Sequence, residues 1–403
     1  MRGAGALRSS RVLVGAVVAG IVVGLAAPAW ALRLKPLVEV FVTLLGWLAV
    51  PLLVCMLAAS SADARHGLRL GRLGMVAALY FAAMSLLSLV LGMLTAWVLE
   101  PGAALYPGPG AAVAATPRVS LDRVSGLTAL HVNVVLLLSA IPVGLLVRAC
   151  AATRVNDAIE RCRGFLLRAI DLLLLFSPLA AFSAVAYTAG RYGAHALLPL
   201  LAFIVAVNLA SLLFVIIGLG TALRLAGMPL LRLVAYLRDE LVLVAATGSS
   251  MAGLTPLALK LDRLGCPRAL TAIVLPLSYS FNLSGTYVYI GAALVFLTQA
   301  ARVGLGVEQL LAMIGVALLT SRAAIGVAGS GFATLATTVS VLRIVPLDMV
   351  AILLGIDRTM KCRILTNVIG HGVACIALAA CVGGLDRAAA RRELGLRSQN
   401  LSR

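Results

Sequence analysis

Apolar runs long enough to cross a bilayer recur along this chain almost without pause, and that repetition limits what it can become. A helical span needs about 20 mostly apolar residues. Plausible spans fall at 12–32, 36–60, 73–99, 127–150, 164–189 and 195–225, and two longer ones at 269–300 and 346–382. Only 12% of the 403 residues are charged and the mean hydropathy is +1.07, against about 25% charged in a globular domain. In hydrocarbon every backbone polar group must be satisfied inside its own segment. The expectation is an all-α polytopic membrane protein forming a single membrane domain over 1–403. The stretch 100–126, rich in Pro, Gly and Ala, reads as a linker.

The net charge of +18 does not point to nucleic acid, because the charge sits in short loops. With a cytoplasmic N-terminus, Arg2, Arg8, Arg11, the loops around 65–72, 148–163, 224–238 and 260–268, and the tail from Arg387 fall inside. They hold most of the 33 Lys and Arg. Arg33, Lys35, Arg118, Arg123, Arg191, Arg302 and Arg343 fall outside. This is the positive-inside asymmetry, with both termini cytoplasmic. Residues 1–31 also have the basic start, apolar run and A-x-A-like end of a signal peptide. Removing them would reverse the charge parity, so an uncleaved first span is expected. The seven Cys include no CxxC pair or metal-ligand pattern and read as free thiols.

The second half has a different texture. Two apolar segments are interrupted by small polar residues: 234–259, with "ATGSSMAGLTP", and 310–341, with "TSRAAIGVAGSGFATLATT". Each reads as a re-entrant hairpin with an unwound tip, and each is followed by a long span with polar residues in its middle. The parity of the intervening span makes the two units an inverted repeat, and interrupted segments in corresponding positions point to a transport site. Two ordinary kinked spans would give a similar pattern.

The last span contains "LLGIDRTMKCRILTNVIGHGVA". Thr359, Arg363, Asn367 and His371 are spaced four apart and share a helix face. Ionisable residues in a span are functional by default, and the guanidinium of Arg363 suits a carboxylate. The alternative is an Arg paired to a buried Asp. Asp357 and Lys361 stand at i and i+4 and can pair with each other, which leaves Arg363 without an obvious partner in its own helix. At the hairpin tips, free N–H groups at helix N-termini suit an anion. Ser249, Ser250 and the run that includes Gly326, Gly329 and Gly331 let backbone approach a ligand, although Ser249 and Ser250 also read as helix caps. In "SYSFNLSGTYVY", Asn282, Ser284, Gly285 and Thr286 fit a broken helix whose oxygens turn inward toward a cation or ligand. A tight helix contact through Gly285 is the plainer reading.

These stretches resemble the dicarboxylate/amino acid:cation symporters, the glutamate-transporter homologues. The likeness is densest in "LGCPRALTAIVLPLSYSFNLSGTYVY", "SRAAIGVAGSGFATLATTVS" and "LGIDRTMKCRILTNVIGHGVA", and closest to the carriers of C4-dicarboxylates. It implies eight transmembrane helices, two re-entrant hairpins and a homotrimer in a bacterial inner membrane. Residues 1–225 would be mainly scaffold, with helices 3 and 6 moving with a transport core over 226–386, ahead of a tail over 387–403. It implies a symporter that moves succinate, fumarate or malate by elevator-type alternating access. Arg363 would hold a substrate carboxylate, with Asn367, Ser249, Ser250, Thr286, Gly326, Gly329 and Gly331 completing the site. Asn282, Ser284, Asn367 and His371 would lie at cation positions. No cofactor is expected, and the coupling cation is H+ or Na+.

Some positions depart from that family pattern. Ser284 stands where its members have Asp, and His371 where they have Asp or Asn. Both changes fall on cation positions and point away from sodium. Met360 stands three residues before Arg363, where amino-acid carriers place an Asp for the ammonium, so the match is to dicarboxylates without an amino group. The interval from Asp357 to Asn367 is one residue shorter, the first hairpin begins with Gly248 in place of Ser, and a stretch is missing between Gly126 and Val134. A sensor that keeps the fold without transporting, and an amino acid:cation symporter, are the other readings. An intramembrane enzyme is disfavoured, since the chain has no HExxH, GxSxG or P-loop lysine motif.

Overall fold

The computed structural model describes residues 2–41, 43–44, 47–48, 51, 55, 71–105, 153–194, 197–321, 330–345, 347–357 and 360–395. Every regular element among them is helical. The helices are α1 (Arg2–Ala26), α2 (Pro28–Leu32), α3 (Arg72–Leu99), α4 (Thr153–Leu175), α5 (Ser177–Tyr192) and α6 (Leu197–Leu225). They continue with α7 (Leu230–Tyr236), α8 (Arg238–Thr247), α9 (Met251–Arg263), α10 (Arg268–Phe281) and α11 (Ser284–Ala300). The last are α12 (Val307–Thr320), α13 (Ser330–Leu342), α14 (Ala351–Asp357), α15 (Cys362–Cys381) and α16 (Arg387–Glu393). Four stretches among the described residues are long and apolar enough to cross a membrane: Leu73–Leu99, Leu197–Leu225, Arg268–Ala300 and Cys362–Cys381. A bent pair, Gly15–Ala26 with Pro28–Phe41, makes up to five. The expected span at 127–150 and most of that at 36–60 lie outside the described residues.

Three expected spans have other bounds, and each has a local cause. The first was expected to run over 12–32, but the chain turns by 119° at Ala27, because Pro28 has no N–H to continue the ladder of α1. The span expected at 164–189 is two helices that part at Phe176. There the Phe176 amide donates to the Leu173 carbonyl, and Pro178 opens α5. The span expected at 346–382 is a 3-10 turn, Leu347–Val350, then α14 and α15. Between its two helical pieces, Met360 and Lys361 are not helical.

α11 runs through the centre and nearly all its residues are buried. It packs on α3, α6, α13 and α15. Against α3 the backbones nearly touch: a Cβ at Gly92 would lie 2.2 Å from the Val288 carbonyl oxygen. Small residues permit such approach where no hydrophobic drive pulls helices together. Phe203 of α6 stacks on Phe296 of α11, ring centroids 4.9 Å apart. The end of α3 is satisfied from the same helix. The Gln299 amide donates to the Ala96 carbonyl at 3.0 Å, and its oxygen accepts from the Gly102 amide at 3.0 Å.

A helical hairpin followed by a broken helix occurs twice. In the first unit α8 ends at Gly248, whose φ of +69° is left-handed, and α9 returns beside α8. Lys260 joins the base of this hairpin: its ammonium reaches the Tyr236 carbonyl at 2.7 Å and the Glu240 carboxylate at 2.8 Å. The broken helix is α10 and α11, which part at Asn282 and Leu283. In the second unit α12 and α13 pack together, with the Thr320 and Thr338 hydroxyls 2.6 Å apart. The tip between them, with Gly326 and Gly329, lies outside the described residues. The broken helix is α14 and α15.

The two breaks meet at Gly285. A Cβ there would lie 2.0 Å from the Arg363 carbonyl oxygen and 2.8 Å from its carbon. Gly285 thus opens a broken helix and also makes the tight contact, so the two readings of this residue hold together. The atoms in the way are backbone and cannot rotate aside. Gly285→Ala should therefore lower the thermal unfolding midpoint in detergent, at a cost of about 1–3 kcal/mol or more. Ala in a helix is ordinarily favoured over Gly by about 1 kcal/mol, so an unchanged or raised midpoint would show that the helices do not cross here.

Candidate functional site where two broken helices cross

α15 presents Arg363, Asn367 and His371 on one face, as their spacing of four requires. All three are buried, at 4%, 3% and 0% exposure. Thr359, expected on the same face, lies outside the described residues. The break between α10 and α11 faces this stripe and brings Asn282, Ser284, Gly285 and Thr286 against it.

Arg363 has a partner that its own helix does not supply. Its Nη1 donates to Asp357 Oδ1 at 2.7 Å, and Nη2 reaches Oδ2 at 3.4 Å. Asp357 is 1% exposed. The alternative raised from the sequence, an Arg paired to a buried Asp, is the arrangement observed, and the expected pairing of Asp357 with Lys361 gives way to one with Arg363. The i, i+4 relation of Asp357 to Lys361 assumed one continuous helix, whereas α14 ends at Asp357 and α15 begins at Cys362. The guanidinium also lies over the Tyr289 ring, 4.8 Å from its centroid. On another side is the start of α13, where a Cβ at Gly331 would lie 1.9 Å from Nη1. Arg363 is thus enclosed by a carboxylate, an aromatic face and a bare stretch of backbone.

Asn367 ties the two breaks together. Its Oδ1 accepts from the Gly285 amide at 2.8 Å, and its Nδ2 donates to the Thr286 hydroxyl at 3.4 Å. The Ser284 hydroxyl donates to Asn282 Oδ1 at 3.0 Å. Asn282 Nδ2 stands 3.5 Å from the Gly370 carbonyl and from the Ser278 hydroxyl. His371 Nδ1 is 2.9 Å from that hydroxyl, and its Nε2 has no hydrogen-bond partner among the described residues. The four residues expected at cation positions therefore form one buried polar cluster. Within it Asn282 Oδ1 and Asn367 Oδ1 each already accept a hydrogen bond.

The structure brings Arg363, Asn367, Thr286 and Gly331 into one region. Ser249 and Ser250 sit at the tip of the first hairpin, Ser250 buried and Ser249 half-buried. The arms of that hairpin pack on α15. Sequence reading did not single out Asp357 as a partner of Arg363, nor Tyr289 or Ser278. A weak signal existed for two of them. Tyr289 follows Gly285 by four residues and so shares its face, and Ser278 precedes Asn282 by four.

The sequence model of the sodium:dicarboxylate symporter family matches residues 10–381. The chain is 36% identical over 394 residues to C4-dicarboxylate transport protein 4 of Bradyrhizobium diazoefficiens, covering 92% of this chain and 89% of that protein. It is 37% identical over 392 residues to the C4-dicarboxylate transport protein of Paraburkholderia xenovorans, covering 92% of each. With the C4-dicarboxylate transport protein of Paraburkholderia phymatum the identity is 36% over 399 residues, 94% of each. A match over nearly the whole chain, with the helix breaks inside it, shows that this protein belongs to the sodium:dicarboxylate symporter family, a family of membrane transporters and not of enzymes.

Proposed function

We propose that this protein is a secondary carrier that takes up C4-dicarboxylates, such as succinate, fumarate or malate, together with a cation. The observation that carries this is the buried guanidinium of Arg363 at the crossing of two broken helices, beside backbone that leaves room for no side chain at Gly331. A planar fork of donors shut away from water recognises a carboxylate. The names of the relatives support the substrate class. Met360, buried beside this site, offers no acceptor to an ammonium, which favours dicarboxylates over amino acids.

The same reading holds that the chain has eight spans and two re-entrant hairpins, works as a homotrimer in a bacterial inner membrane, and keeps both termini in the cytoplasm. Residues 226–386 form the moving core and most of 1–225 the scaffold, with substrate carried by an elevator-like motion. Helices α3 and α6 pack directly on α11 and α15, which supports their moving with that core. Ser249, Ser250, Gly326 and Gly329 are assigned to the substrate site by the same reading.

Arg363→Ala should abolish succinate uptake into proteoliposomes, through a loss of substrate binding on the order of 2–5 kcal/mol. Uptake at the wild-type rate and affinity would remove Arg363 from the site. One observation favours a second reading, a sensor that binds without transporting: the cation positions hold Ser284 and His371, and the oxygens of Asn282 and Asn367 accept internal hydrogen bonds. Counterflow of labelled succinate separates the two, since only a carrier exchanges substrate across the bilayer.

We assign the coupling ion as a proton rather than sodium. A sodium site needs hard oxygens with compensating negative charge; Ser284 keeps an oxygen without the charge, and His371 offers no oxygen ligand. An imidazole titrates near ~6.5 when unperturbed and is the side chain suited to load and release a proton. Uptake is expected to follow an imposed proton gradient, to ignore a sodium gradient, and to lose its proton dependence in His371→Ala. Uptake that follows sodium alone, or that is unchanged in this variant, would overturn the assignment.

A further inference from the structure

We propose that Asp357 is an internal counter-anion that occupies Arg363 in the empty carrier and gives way to the carboxylate of the substrate, so that it sets the affinity for that substrate. The inference rests on the reading that Arg363 takes a carboxylate. A guanidinium 4% exposed and a carboxylate 1% exposed are each costly to bury alone and tolerable as a pair. Among the described residues Asp357 is the acid in ion-pair range of Arg363. The other neighbours of the guanidinium, the Tyr289 ring and the backbone at Gly331, carry no negative charge. They fit an Arg whether its anion is internal or bound.

The geometry of the pair suits exchange. One contact is short, at 2.7 Å, and the second is near the limit of a hydrogen bond, at 3.4 Å, so the carboxylate does not grip the fork symmetrically. Asp357 also stands shortly before a break in the span, since Met360 and Lys361 are not helical, and a carboxylate near a break can turn away from Arg363 more readily than one inside a continuous helix. Among the described residues, Arg363 and Asp357 form a buried pair without net charge. A dicarboxylate must replace an anion already present, and part of its binding energy is used in doing so.

Two substitutions test this. Asp357→Asn keeps the shape and removes the competing charge, and it should tighten succinate binding about tenfold or more, equivalent to about 1.4 kcal/mol. Asp357→Ala leaves a space where the carboxylate stood. It should be stabilised against heat by millimolar formate, as a free carboxylate takes the vacant place, while the wild type shows no such shift. A purely structural role for Asp357 predicts the opposite of the first result, since a loosened Arg363 would bind succinate more weakly. Equal or weaker binding in Asp357→Asn, or no formate effect in Asp357→Ala, overturns the proposal. If neither wild type nor Asp357→Asn binds a dicarboxylate, the substrate reading fails, and the formate measurement decides the role of Asp357 by itself. If Asp357→Asn or Asp357→Ala folds only when formate is present during purification, that rescue supports the proposal. A variant that formate fails to recover counts against it.

Discussion

A guanidinium shut away from water needs an anion beside it, and the centre of this protein is arranged around that need. Desolvating one charge costs several kcal/mol unless a partner is held in good geometry. Arg363 meets the condition only because the span before it is broken. On an unbroken helix the six residues from Asp357 to Arg363 correspond to a rotation of about 600°, which leaves the two side chains about 120° apart around the axis. The interruption at Met360 and Lys361 lets Asp357 lie back against the start of α15. The ion pair and the helix break therefore depend on each other.

A broken helix inside a bilayer frees backbone groups that lipid cannot satisfy. Here two breaks answer one another. The amide of Gly285, at the start of α11, is taken up by the side chain of Asn367 on α15. The absence of a Cβ at Gly285 lets the two backbones approach closely enough for that bond. Around this crossing the polar side chains serve each other, with Ser284 on Asn282 and His371 on Ser278. A buried network of this kind is rigid where its bonds are complete. Its incomplete member is His371, whose Nε2 faces no hydrogen-bond partner among the described residues.

Membership in the sodium:dicarboxylate symporter family and the chemistry at the crossing bear on different questions. The family accounts for a transporter in place of an enzyme. The proposed selectivity rests on individual side chains near the crossing. Met360 offers no acceptor for an ammonium. Ser284 and His371 bring no negative charge to the positions where a cation would sit. The proposed proton coupling and the proposed preference for substrates without an amino group both rest on those three residues and require no change in the fold.

The sequence by itself determined that this is a helical membrane protein, because apolar runs and loop charge are local properties read along the chain. It also marked one of the two interrupted helices, and left the break before Arg363 unmarked. The residues that disrupt the marked helix, such as Asn282, Ser284 and Gly285, are small and polar in apolar surroundings, and their effect is felt where they stand. The face shared by Arg363, Asn367 and His371 was legible for the same reason, since helical periodicity places residues four apart together. What only the tertiary structure decided is which groups from distant segments share the site. Asp357 as the partner of Arg363, Tyr289 beneath its guanidinium and Ser278 against His371 all depend on how two breaks are set against each other. The bounds at Ala27 and Phe176 have a local cause instead, a proline beside each, in helices that hydropathy alone continues. Hydropathy averages over a window and cannot register one missing N–H, and a pairing across a break has no period to reveal it.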